Sequence, residues 1–104
     1  MPKHALESLT ESMFYVLLAL HRTSRCGIDI AAYIEQTTNG RCKLGPATLY
    51  TILGKFEKEK YIKEIQVEGR KRTYAITDRG REALQAEVER LQACLQDAQS
   101  EGGL

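Results

Sequence analysis

The hydrophobic period of this chain changes twice, and the change sets the order of its elements. Up to Phe56 the apolar residues recur at helical spacings. Between Ile65 and Ile76 they alternate, and from Leu84 they return to a helical repeat. A chain of 104 residues has room for one domain with one modest core. Its hydrophobic share of 42% and charged share of 28% are those of an ordinary globular domain, so disorder is not the default.

The first helical stretch has two caps in reach, Ser8 opening the box Ser8-Leu9-Thr10-Glu11 and Thr10 two residues later. Met13, Phe14, Val16, Leu17, Leu18 and Leu20 then cover nearly every side, which predicts a helix in the middle of the core. After a break at Thr23–Arg25, Gly27 opens a second helix with Ile28, Ile30, Ala31 and Ile34 as its apolar positions. It stops at the turn signal Thr38-Asn39-Gly40. Gly45-Pro46 begins a third helix, because proline at the first helical position lacks only an N–H that has no partner anyway. Leu49, Ile52, Leu53 and Phe56 form its buried stripe, and the helix is expected to end near Lys60. Gly54 inside it implies a close neighbour. Ile65 and Val67, then Tyr74 and Ile76, alternate around Gly69 and predict a β-hairpin with Arg70, Lys71 and Arg72 at its tip. Thr77 caps a last helix, in which Leu84, Val88, Leu91 and Leu95 make a short heptad seam. The sum is mainly α with a small β-hairpin: a winged helix-turn-helix plus a C-terminal dimerisation helix. Residues 1–77 are expected to form the DNA-binding domain, with 1–9 as an arm or short helix. Residues 78–104 are expected to form the dimerisation helix and a short tail.

Net charge is only +1, but it is unevenly spread. Residues 1–40 sum to −1, residues 41–81 to +6 and residues 82–104 to −4. A basic middle between acidic flanks suits a polyanion, although a solvated surface with accidental clustering gives the same sums. The three cysteines, Cys26, Cys42 and Cys94, show no CxxC spacing and are expected as reduced thiols. The longest apolar run, Met13 to Leu20, is too short for a membrane span, and no signal peptide is recognisable, so a cytoplasmic location without membrane contact is expected. His4 and His21 stand alone, no phosphate loop or hydrolase motif occurs, and no enzyme activity, cofactor or metal is expected.

The chain resembles the PadR (phenolic-acid-decarboxylase regulator) family of bacterial transcription factors. The resemblance rests on Leu9-Thr10, on Phe14-Tyr15-Val16-Leu17-Leu18-Ala19-Leu20, on Gly27, and on Leu44-Gly45-Pro46-Ala47-Thr48-Leu49-Tyr50. It continues through Arg70-Lys71-Arg72-Thr73-Tyr74 and Ile76-Thr77-Asp78-Arg79-Gly80. Two positions depart from the family pattern. Ala47 stands where glycine is usual, and Ile28 stands where tyrosine is common, there expected to fill the core. The resemblance implies a repressor that blocks a promoter, with a small-molecule effector in some members.

Read as a DNA-binding protein, the chain offers Pro46, Ala47, Thr48, Tyr50, Thr51 and Lys55 on the third helix. Arg70, Lys71 and Arg72 are the wing. The helix start presents free N–H groups, the threonines are short donors, Tyr50 can donate to a phosphate, and the cations supply charge. Each also has a plainer reading: the threonines as solvated helix residues, Tyr50 as partly core, the tip as edge-protecting charge. No Asn or Gln lies on the outer face to read adenine, which leaves base recognition to wing arginines and DNA shape. The expected partner is a double-stranded, inverted-repeat operator, bound by a homodimer joined through Leu84, Val88, Leu91 and Leu95. The alternatives are a winged-helix protein-interaction module and a thiol- or metal-responsive regulator.

Overall fold

The computed structural model describes residues 8–104, so most of the expected N-terminal arm lies outside the described residues. The elements run α1 (Glu11–Ala19), β1 (Arg25–Cys26), α2 (Gly27–Thr37), α3 (Pro46–Lys58), β2 (Ile62–Glu68), β3 (Lys71–Ile76) and α4 (Asp78–Glu101). Three helices, an antiparallel sheet in the order β1-β3-β2 and a long last helix make a winged helix-turn-helix.

Thr10, not Ser8, caps α1. Its Oγ1 accepts from the Met13 N–H at 3.1 Å. Val16, Leu17 and Leu20 are fully buried and Met13 and Ala19 nearly so, which puts α1 at the centre as its pattern predicts. On α2 the inward stripe is Gly27, Ile30 and Ile34. Ile28 corrects an expectation: it is 79% exposed and fills no core. One residue along a helix turns the side chain by about 100°, and Gly27, not position 28, takes the inward place. The following turn holds because Thr38 is buried, donating to the Ile34 carbonyl at 2.8 Å and accepting from the Cys42 N–H at 3.0 Å. Asn39 and Gly40 take the positive φ values, 53° and 76°, that reverse the chain.

On α3 the stripe Leu49, Ile52, Leu53 and Phe56 is buried as expected. The helix ends at Lys58, before the expected Lys60, which has a left-handed φ of 63°. The second correction is Gly54. Nothing lies within 4 Å of where its Cβ would stand, so no neighbour explains it. It lies on the exposed face of the helix.

The sheet holds a strand the sequence pattern hid. Arg25 pairs with Tyr74 and Cys26 with Thr73, where the chain reads only as a break. Two residues are too few to display a period. The hairpin turns at Gly69, with φ +61°. Tyr74 and Ile76 are buried, but Ile65 and Val67 stay about half exposed. A register shift between Glu64 and Gln66 interrupts the alternation, and Ile62 supplies the inward contact of β2.

Thr77 caps α4, accepting from the Gly80 N–H at 3.1 Å and donating to the Lys60 carbonyl at 2.6 Å. The four-residue seam divides. Leu84 packs in the protomer's own core and Val88 is half buried, whereas Leu91 and Leu95 are exposed. The first turns of α4 are spent on covering its own domain.

Candidate nucleic-acid interface

All nine side chains expected at the interface are exposed: Pro46, Ala47, Thr48, Tyr50, Thr51, Lys55, Arg70, Lys71 and Arg72. They do not share one hollow. The exposed face of α3 stands as a ridge with a cleft along each margin.

The first cleft, about 380 Å³, lies between the start of α2 and the hairpin tip. It is lined by Cys26, Gly27, Ile28, Asp29, Tyr50, Arg70, Lys71 and Arg72. Tyr50 is half exposed, and its hydroxyl lies 2.7 Å from where a Cβ on Gly27 would sit. With glycine there the ring lies close against the start of α2, and a Cβ would make it shift. That start has no side-chain cap, because Cys26 at the cap position makes no capping hydrogen bond, and the first amides of α2 stay available. Tyr74 lies buried beneath the sheet face. Burial first, and then Glu57, push its phenol above the ordinary range, so its hydroxyl keeps its proton.

The second cleft, also about 380 Å³, runs between the start of α1 and the opposite margin of α3. Thr10, Ser12, Met13, Ala47, Thr48, Thr51, Ile52 and Lys55 line it. Thr51 Oγ1 donates to the Ala47 carbonyl at 2.9 Å. Its proton is therefore committed to its own helix, and the hydroxyl faces outward as an acceptor rather than as the donor expected. On the exposed face of α3 Ala47, Thr51 and Gly54 are all small. A flat partner can approach this backbone closely, which gives Gly54 a place that packing does not.

The basic segment is less free than its charge suggests. Arg41 pairs with Glu11 and Tyr15, Lys43 with Glu35 at 3.9 Å, Arg72 with Glu64 at 3.3 Å and Arg79 with Glu59 at 3.7 Å. Lys55, Arg70 and Lys71 make no ion pair among the described residues, and these three border the ridge. Cys26 and Cys42 are buried at opposite ends of α2 and Cys94 is exposed on α4. No group of three or more His, Cys, Asp or Glu is placed to hold a metal among the described residues.

Sequence reasoning missed the floor of the first cleft (Gly27 and Ile28) and the α1 wall of the second (Thr10 and Ser12). Both are built by chain segments far from α3 in sequence. The local signal available for the floor is Gly27 at the start of α2, since a glycine permits a close approach.

Comparison with known proteins agrees with this fold. A structure of a transcriptional regulator from Clostridium thermocellum superimposes with a TM-score of 0.77 at 24% identity, over 86% of this chain and 87% of that one. Bacillus subtilis PadR in complex with operator DNA superimposes with a TM-score of 0.65 at 22% identity, over 73% of this chain and 46% of that one. In sequence, an uncharacterized 37.1 kDa protein in transposon TN4556 of Streptomyces fradiae is 35% identical over 78 residues. That match takes in 75% of this chain but spans only 22% of the relative's length. The profile of the transcriptional regulator PadR-like family matches residues 16–86, from the middle of α1 into α4. The chain belongs to the transcriptional regulator PadR-like family.

Proposed function

We propose that this regulator binds double-stranded DNA as a homodimer at an inverted-repeat operator and represses transcription there. The observation that carries the reading is the ridge of α3. A smooth helix face flanked by two clefts, with Lys55 on one margin and Arg70 and Lys71 across from it, fits a helix lowered into a major groove. The groove is about 12 Å wide and is bounded by two phosphate strands, one for each cleft. The wing and the uncapped amides of α2 grip one strand. Lys55 and the hydroxyls of Thr10, Ser12 and Thr48 face the other. Thr51 accepts from a base amino group in the groove. The chain works as a binding protein rather than as an enzyme, and in the cytoplasm, where a bacterial operator lies. No described helix is long and apolar enough to cross a membrane.

Fluorescence anisotropy on DNA from upstream of its own gene, repeated over a salt series, tests this. Replacing Arg70, Lys71 and Arg72 together by Ala weakens binding to all sequences. It flattens the plot of log affinity against log salt by about 2 units, because two free cations each give up about one phosphate contact. Arg72, already held by Glu64, adds little. An unchanged slope removes the wing from the interface, and no binding by the intact protein removes the DNA reading.

A further inference from the structure

Ile28 has no role in the fold. Apart from the C-terminal Leu104, it is the most exposed large hydrophobic residue among the described ones, at 79%. One other exposed large hydrophobic lines its cleft, Tyr50, whose ring ends in a hydroxyl. The hydrophobics of α4 that remain exposed, Leu91 and Leu95, line other clefts and share no residue with this one. The neighbours of Ile28 across its cleft are Tyr50 and the wing residues Arg70, Lys71 and Arg72, and the wing is assigned above to one DNA strand.

We propose that Ile28 is a DNA-contacting residue that packs against an apolar part of the duplex beside the phosphates held by the wing. This rests on the DNA-binding reading and adds to it a contact of different chemistry. Two parts of a duplex are apolar at that margin: the carbons of deoxyribose on either side of a phosphate, and the C5-methyl of thymine at the groove edge. A branched aliphatic side chain fits both. It also displaces water from between the cations and the phosphate, which strengthens their attraction. Arg70 and Lys71 contribute charge without shape, whereas Ile28 contributes shape without charge.

The difference in chemistry supplies the test. Anisotropy is measured on the full chain with duplex from upstream of its own gene, at several salt concentrations. Ile28→Ala and Ile28→Ser weaken binding by about five- to tenfold, as expected when the three carbons removed are about half buried in the contact. They leave the salt slope and the melting temperature unchanged, because no counterion is involved and the side chain supports no core. Ile28→Leu restores most of the affinity. A second series replaces thymine by uracil in the duplex. If wild-type binding weakens and Ile28→Ala adds no further loss, the contact is to a thymine methyl. If wild-type binding is unchanged while Ile28→Ala still weakens it, the contact is to sugars. Binding by Ile28→Ala within twofold of wild type overturns the proposal, as does a loss accompanied by a flatter salt slope. Failure of the wild type itself to bind any duplex is a separate result, and it removes the DNA reading as a whole.

Discussion

At the scale of single residues, the most telling group is one that composition conceals. Glu87 counts toward the −4 of the C-terminal segment, as though it were a solvated acid. It is in fact only 4% exposed. It accepts from Arg90 Nε at 3.1 and 3.2 Å and from the Leu9 N–H at 3.4 Å, tying α4 to the entry of α1. The hydrogen bond from Arg90 is the main force holding its carboxyl below the ordinary value, against the opposing effect of burial. A depressed folded value means stability that is present above the unfolded pKa and lost as pH falls through the folded one. Glu87→Gln is therefore expected to cost about 1–2 kcal/mol near pH 7 and progressively less at an acidic pH below the ordinary carboxylate range, as the wild-type side chain takes up its proton through the lowered pKa. Denaturant titrations of both proteins at the two pH values check this, and a constant difference would mean the loss is steric. No local pattern marks Glu87 out, because its backbone partner is 78 residues away. Ile28 was hidden in the opposite direction: its apolar identity fitted a helical stripe, and only the fold shows that Gly27 occupies the inward place.

At the scale of elements, the long periodic segments were legible and the junctions were not. Leu49, Ile52, Leu53 and Phe56 announce α3, Pro46 its start, and Gly69 the hairpin turn, because each obeys a local rule of spacing or conformation. The two residues of β1 obey none, and the shift between Glu64 and Gln66 breaks the one rule that would have assigned Ile65. Glycines show the same divide. Gly54 and Gly80 both lie inside helices and look alike in sequence, yet a Cβ at Gly54 meets nothing within 4 Å. One at Gly80 would stand 2.1 Å from the Tyr61 carbonyl oxygen and 2.8 Å from Ile76. The first obstacle is backbone and cannot swing aside. Gly80→Ala should thus push α4 off the sheet and lower stability by about 2 kcal/mol or more, on the order of 10 °C in Tm. Gly54→Ala should raise stability by up to about 1 kcal/mol, since helix propensity is all that changes. Parallel thermal melts of the two variants decide it; equal and small shifts would mean the α4–sheet contact is looser than drawn.

At the scale of the molecule, α4 is out of proportion to the domain it covers. The radius of gyration is 14.9 Å, against about 13 Å for a compact chain of this length. Along the second half of α4 every residue from Glu89 to Asp97 is exposed. Leu91 and Leu95, 40% and 58% exposed, lie one turn apart on that stretch. A helix left bare on all sides with two leucines on one stripe gains most from a copy of itself, since a two-fold interface repeats the same stripe on both partners. In the proposed dimer the sequence seam works in two halves: Leu84 anchors the helix to its own protomer, and Leu91 and Leu95 are left for the partner. Joining two winged domains this way also sets the distance between their α3 ridges, and half-sites about one turn of DNA apart are the spacing a dimer reads. Changing Leu91 and Leu95 together to Asp should give a monomer by sedimentation at micromolar concentration, with a melting temperature that no longer rises with protein concentration. Half the cations then meet the DNA, so the salt slope should fall to about half that of the dimer. A monomer that keeps the full slope would show that the dimer contributes nothing to DNA contact. A variant that stays dimeric would move the interface off this stripe.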